Sequence, residues 1–332
     1  MKKEKKSRGK KALLVLGILM GVMLSINLVS FLLNITIFRN ELDGIEPYGE
    51  LIEVNGGNMH LHSMGNGEET IVLLPGWGVA LPSADFGPLM RRLSENYTVV
   101  TVEYFGIGFS DLSDIPRSNE NYTEEIREAL LKAGFEPPYI LMPHSASGIY
   151  SEYYGTKYPE EVSAIIMMDT TSSAVTDDTP ELLMNAVYAA MRFSQATGMM
   201  RVNNLILPET RLTENGYTEK EITDYRLFSN HGLNKTTIEQ SRMFVENITE
   251  LQGLPFPESI PVLKLIAQET IDAQAKIDKD DGMGYQKKHL KRLGENVSSV
   301  VLDTSHFLYH DQIHEIAGLT EEFLGVRLFG EE

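Results

Sequence analysis

Six short apolar runs, set apart by turn residues and helical stretches, constrain the fold of this chain more than any other feature. They are residues 70–74, 98–103, 139–142, 163–168, 261–267 and 297–302. Short runs that do not alternate with polar residues suit strands buried on both faces. Helical patterns lie among them, at 122–132, in a stretch ending at Tyr158, at 284–293 and in a last stretch ending about Leu324. Strands alternating with helices predict an α/β fold with a mostly parallel central sheet and helices on both faces. Ahead of these runs, residues 50–54 and 59–63 flank Asn55-Gly56-Gly57, a hairpin signal. Sites in such sheets form at the carboxyl ends of the strands. That is where the chain carries Pro75-Gly76-Trp77-Gly78, residues 104–111, residues 143–148, Asp169 and residues 303–306.

Between residues 172 and 257 the rhythm breaks. Amphipathic helical patterns appear near 180–196, 219–229 and 236–250. Inserted between two sheet strands at the site end, this block is expected to be a helical cap closing over substrate. The core is then expected to comprise 49–171 and 258–332. Met184, Tyr188, Met191, Phe193, Met199 and Met200 would give the cap an adaptable apolar lining, although the same stripe also serves as ordinary packing.

Residues 12–38 contain no charged side chain. A hydrocarbon core is crossed by about 20 apolar residues, and a helix satisfies its own backbone there. The run is longer than the apolar core of a cleaved signal peptide and lacks an A-x-A-like site. Residues 1–11 carry seven basic groups against Glu4, whereas Glu41, Asp43 and Glu46 follow the run. The positive-inside rule therefore predicts a cytoplasmic basic segment at 1–11, a transmembrane anchor at 12–38 and a linker at 39–48. The expectation is a single-pass protein of the cell membrane with its catalytic domain outside the cytoplasm.

Charge and composition exclude several classes. Residues 1–11 have a net charge of +6 and the remainder −24, which repels nucleic acid. No cysteine is present, so disulfides, thiolate metal sites and a cysteine nucleophile are ruled out. His60 and His62 stand two apart and are expected to be surface histidines on a strand rather than metal ligands. His306, His310 and His314 follow helical spacing, but one catalytic histidine followed by two on a helix accounts for them without a metal. No cofactor is expected.

The strand-to-Gly76 turn, the segment EYFGIGFSD at 103–111, PHSASG at 143–148 and the late pair Ser305-His306 stand in the order of the α/β-hydrolase superfamily. Residues 49–326 resemble that superfamily throughout. The resemblance makes PHSASG the nucleophile elbow and Ser145 the nucleophile, with Ser147 as the small helix-side residue. The superfamily usually has glycine two residues either side of the serine, where this chain has Pro143 and Ser147. It implies His306 as the base, and Trp77 and Ala146 as the backbone donors of the oxyanion hole. Pro75 stands where a histidine is usual, Glu103 takes the acidic position of its loop, and Ser110 is structural.

Two carboxylates compete to complete the triad. The usual place, after 261–267, offers Thr270, which cannot serve, with Glu269 beside it and Asp272 further on. Asp303 lies too near His306. Some members take the acid one strand earlier, which is Asp169 here. Asp169 is preferred and Glu269 is second. The implied activity is carboxylic-ester hydrolysis through an acyl-enzyme, on a small-molecule or lipid-like ester. An aminopeptidase-like activity is one alternative. A non-catalytic surface binding module with a degenerate site is the other.

Overall fold

The computed structural model describes residues 2–175, 181–206, 215–279 and 281–328. Eight strands form one sheet: β1 (Glu50–Val54), β2 (Gly57–Met64), β3 (Thr70–Leu74), β4 (Thr98–Glu103), β5 (Tyr139–Pro143), β6 (Val162–Met168), β7 (Val262–Ala267) and β8 (Val297–Leu302). Their spatial order is β1-β2-β4-β3-β5-β6-β7-β8. The hairpin β1–β2 and the β2–β4 pair are antiparallel, and every pairing from β4 to β8 is parallel.

Thirteen α-helices and one short 3₁₀ helix (Pro159–Glu161) accompany them among the described residues. The α-helices are α1 (Lys2–Thr36), α2 (Pro82–Asp85), α3 (Gly87–Leu93), α4 (Asn119–Lys132), α5 (Ser147–Lys157), α6 (Glu181–Thr197), α7 (Met199–Ile206), α8 (Glu219–Ser229), α9 (Lys235–Gln252), α10 (Gln268–Asp278), α11 (Gly284–Leu293), α12 (Leu308–Asp311) and α13 (Ile313–Leu328). The helices α6 to α9 all lie between β6 and β7 in the chain.

The non-alternating apolar runs feed two cores at once, because successive strand residues point to opposite faces. Val72, Leu74, Val100 and Leu141 meet Tyr122, Ile126, Tyr150 and Tyr154 on one face. Ile71, Leu73, Ile140 and Met142 meet Phe86, Leu89, Ile316 and Leu324 on the other. The result is the three-layer arrangement expected, with a mostly parallel sheet between helices.

Three details depart from expectation. His60 and His62 are buried, not surface residues. They share one face of β2, covered by the chain before β1, with Tyr48 against His62, and by the loop after β4, with Phe109 against His60. The helices α2 and α3 were hidden because Pro82, Gly87 and Pro88 interrupt their pattern. Both instead start with proline in the first turn, where its missing N–H costs nothing. The late histidines share no helix face, since Gln312 ends α12, with His310 in it and His314 in α13.

The helix α1 contains a stretch, Leu13–Thr36, long and apolar enough to cross a membrane. Its last turns are packed against the protein: Ser30 is buried, Asn27 and Asn34 are partly so, and Phe38 just past its end is also partly buried.

Candidate active site

The elbow begins with β5, which threads between β3 and β6. The amide of His144 donates to Leu74 O and that of Ser145 to Met168 O, so the strand end is tied on both sides before it turns. Ser145 then adopts φ +52°, a left-handed conformation that costs a residue with a Cβ of order 1 kcal/mol or more. Helix α5 starts two residues later. The turn leaves Ser145 partly exposed while Ser147 is fully buried.

Such a turn demands close approaches. A Cβ on Gly76 would stand 2.8 Å from Ser145 Cβ and 2.7 Å from His144 Nδ1, so only glycine lets this loop lie beside the serine. A Cβ on Gly148 would stand 2.5 Å from Thr170 Cβ, so it is Gly148 that allows α5 to approach the end of β6. Ser147 donates its hydroxyl to Pro75 O and lies 2.8 Å from Tyr104 OH, tying the elbow to the Gly76 loop. Pro143 ends the strand, and its missing N–H leaves no gap in the tie to Leu74.

Three side chains form one line. Ser145 Oγ lies 3.0 Å from His306 Nε2, and His306 Nδ1 lies 2.6 Å from Asp169 Oδ2. His306 comes from the loop after β8 and Asp169 from the end of β6. Two more donors converge on the Asp169 carboxylate: the amide of Ala267 at 3.0 Å and the hydroxyl of Thr270 at 2.5 Å. Asp169, like Ser145, has positive φ, at +44°. Glu269 takes a different place. Its Oε2 accepts from the backbone N–H of His306 at 2.8 Å, so it holds the loop and not the imidazole.

His144 supports the same loop. Its Nε2 donates to His306 O at 3.1 Å, and the two rings lie 4.8 Å apart. Burial, helped by the neighbouring His306, pushes the His144 imidazole down to about 3. It is therefore neutral at physiological pH, and its one proton sits on Nε2. Sequence reasoning had no signal for this role, because His144 looked like an ordinary partner of the elbow serine.

Trp77 projects its indole outward and donates Nε1–H to Thr237 O of α9 at 3.1 Å. Ala146 is buried at the foot of α5. Glu103, fully buried, accepts from the amide and hydroxyl of Ser83 and from the amide of Phe109, and faces His60 Nδ1 at 3.1 Å. It braces the loop after β4. Ser110 donates to Glu103 O within that loop. On the other side, Asp85 accepts from Tyr309 OH at 2.5 Å and His310 Nε2 at 2.8 Å.

A cavity of about 670 Å³ is lined by Trp77 and Gly78 of the loop after β3 and walled by Met200, Leu205, Tyr225 and Phe38; Ser145, Asp169 and His306 are not among its lining residues. Of the apolar lining expected from sequence, Met200 alone is found there. Tyr188 instead bonds Ser241 of α9, and Met184 and Met191 are partly buried along the same helix.

A second buried polar chain lies behind the site. Lys264, the one charged residue of β7, donates to Thr170 O at 3.2 Å and contacts His289 Nδ1. His289 Nε2 reaches Glu152 Oε1 at 2.8 Å, and the other Glu152 oxygen accepts from Ser173 at 2.5 Å. Burial brings the Lys264 ammonium down to about 7, although Glu152 and Asp169 oppose the shift. Burial also lowers His289, with Lys264 adding to it. Burial pushes Glu152 up, but His289, Ser173 and Arg292 together hold it below the ordinary carboxylate value. This chain pins Thr170 and Ser173, which follow Asp169, and nothing in the strand pattern VLKLIA foretold it.

Comparison with known proteins fits this architecture. No family model matches the chain. It is 28% identical over 286 residues to the uncharacterized protein YbdG of Bacillus subtilis (strain 168), covering 83% of this chain and 85% of that one. It is 32% identical over 111 residues to 2-(acetamidomethylene)succinate hydrolase of Mesorhizobium japonicum, covering 33% of this chain and 40% of that one. It is 25% identical over 149 residues to the human serine hydrolase BPHL, 44% of this chain and half of that one. Among solved structures, the Cif epoxide hydrolase of Acinetobacter nosocomialis superposes with a TM-score of 0.65 at 17% identity, over 90% of this chain and 96% of that one. The carboxylesterase CesB of Bacillus subtilis gives 0.57 at 16% identity, over 89% and 98%. The chain has the α/β-hydrolase fold. Its relatives and structural neighbours include hydrolases of more than one kind.

Lys264 gives a measurable signature. Its folded value lies below the 10.5 of a free lysine, so between about pH 7 and that value the unfolded chain binds one proton more. Stability must then rise with pH across this window. Measured by chemical denaturation, the stability of the native chain relative to Lys264→Met is expected to rise by about 1.4 kcal/mol per pH unit there. A flat difference would mean that Lys264 stays protonated in the fold.

Proposed function

We propose that this chain is a membrane-anchored serine hydrolase that cleaves carboxylic esters through an acyl-enzyme on Ser145. The observation that carries the reading is the unbroken line Ser145 Oγ, His306 Nε2, His306 Nδ1, Asp169 Oδ2, at 3.0 and 2.6 Å. A serine hydroxyl needs a base within hydrogen-bond reach, and a base needs a partner that holds its tautomer. Ser145 Oγ attacks the ester carbonyl as its proton passes to His306 Nε2. Asp169 holds the other ring proton on Nδ1 and stabilises the imidazolium. The backbone N–H groups of Trp77 and Ala146, on the two loops that Gly76 allows to touch, receive the developing oxyanion. The imidazolium then gives its proton to the departing alkoxide. Water, activated by the same histidine, cleaves the acyl-enzyme and regenerates Ser145.

Helices α6 to α9 are read as the cap over this site, and the cavity between Trp77 and Met200 as room for the substrate. The uncharged stretch of α1, with its basic flank, supports an anchor that leaves the domain outside the cytoplasm.

A fluorophosphonate probe should label the native chain and Ser147→Ala, and fail to label Ser145→Ala. Absence of labelling on folded native chain would favour a non-catalytic binding module.

The two carboxylates should separate by mechanism. Asp169→Asn is expected to lower kcat on a short aryl ester by about 10⁴, as loss of a triad acid does. Glu269→Gln, which can still accept from the His306 amide, should lose less than about tenfold, because it touches only the loop backbone. Equal losses would remove Asp169 from its role.

Protease added to intact cells should degrade residues beyond the linker and leave 12–38 with the membrane, as read by mass spectrometry. Protection of the domain until lysis would reverse the topology.

A further inference from the structure

The anchor does not stand clear of the cap. The buried Ser30 and the partly buried Asn27 and Asn34 recur at three- and four-residue spacing along one face of α1, and the partly buried Phe38 follows just past its end. That face meets α6 and α7. A Cβ on Gly198, between the two cap helices, would stand 2.8 Å from the Asn34 side chain. The Arg201 guanidinium lies 3.8 Å from the centre of the Phe38 ring and pairs with Glu41, which His231 also contacts at 2.7 Å.

Depth follows from helix geometry. The 24 residues of the apolar stretch span about 36 Å, whereas the hydrocarbon layer is about 30 Å thick. The final four or so residues therefore emerge at the polar surface. Asn34, which meets Gly198, lies among those emerging residues, and the partly buried Asn27 lies about 7 Å below the exit, so the cap meets α1 at the outer edge of the hydrocarbon. Amphipathic helices that lie on membranes sink about 5–10 Å.

The outward surface of α6 and α7 has the matching chemistry. Leu182, Leu205 and Ile206 are 85%, 82% and 70% exposed, and Leu183, Val187 and Phe193 are exposed beside them. The only charged residues in 182–206 are Arg192 and Arg201, and Arg201 is paired with Glu41 while Glu181 opens α6, so the face is close to neutral in a chain whose net charge is −18. An apolar, nearly uncharged face on an otherwise acidic globule suits the surface of a bilayer. The cavity adjoins this face: Leu205 belongs to both, and Phe38 lines the cavity together with Trp77 and Gly78 of the loop beside Ser145.

We propose that α6 and α7 are seated in the leaflet from which the anchor emerges, and that the substrate is an acyl ester drawn from that leaflet into the cavity. The second half rests on the serine-hydrolase reading above. The first half does not. The anchor fixes one end of the cap at the bilayer, the exposed face covers the rest, and an apolar ester entering beside Phe38 meets Trp77 across the cavity.

The chain has no cysteine, so single reporters can be placed cleanly. In the full chain, Leu182→Cys and Phe193→Cys carry an environment-sensitive fluorophore, with Glu136→Cys as an exposed control. The protein is reconstituted in vesicles of phosphatidylcholine with a minority of phosphatidylglycerol. Spin-labelled lipids should quench the two α6 positions and spare the control. No quenching at α6 overturns the seating, and so does cross-linking of Leu182→Cys between two copies, which would make a second chain the occupant. Turnover reads the route. The double substitution Leu182→Glu with Phe193→Glu should leave hydrolysis of a water-soluble aryl ester within about twofold of native. It should lower hydrolysis of diacylglycerol in the vesicles at least about tenfold. Unchanged diacylglycerol hydrolysis overturns the route, as does an equal fall for both esters. A chain that seats α6 yet takes no fluorophosphonate label refutes the hydrolase reading and leaves the seating intact.

Discussion

The carboxylate of Asp169 is where three separately built pieces of the structure meet. It accepts from Ala267 at the end of β7, from Thr270 at the start of α10 and from His306 in the loop after β8. The residue itself closes β6 and occupies a left-handed conformation that brings its side chain back across the strand ends. Three donors on one buried carboxylate offset its desolvation, and they make the position of the imidazole depend on the register of three parallel strands. Strand pairing, the strained turn after β6 and the reach of His306 toward Ser145 are thus one mechanical system.

That system has a second anchorage on its far side. Thr170 O accepts from Lys264, and Ser173 bonds Glu152, whose other oxygen meets His289. The segment leaving Asp169 is therefore held by a buried polar chain before it enters the helical insertion. Every member has a partner, as a buried polar network requires. A lysine brought down to about 7 is what burial does to an ammonium when its neighbours cannot fully compensate.

Most of the sheet was legible because buried parallel strands leave short, unbroken apolar runs, and six of these coincide with β3 to β8. The elbow was legible because Ser145 lies between a strand and a helix with a small residue at 147 and Gly148 behind it. What stayed hidden was pairing across the fold. Asp169 was preferred over Glu269 on paper, but both were acids near strand ends, and only three-dimensional reach sends one to the imidazole and the other to the backbone of His306. His60 and His62 were taken for surface residues because alternation shows which residues share a face, not what covers it. The covering came from Tyr48 and Phe109, both remote from β2 in local pattern. The helices α2 and α3 were missed because their prolines read as breaks when they are starts.

The bond from Trp77 Nε1 to Thr237 O has a further consequence. Trp77 belongs to the loop beside Ser145, and Thr237 opens the first turn of α9, whose preceding Asn234 also holds Gly106 O. A displacement of α9 from this position would have to break the indole bond and the Asn234 bond to Gly106 O together, so one helix turn holds both the loop after β3 and the loop after β4 in place.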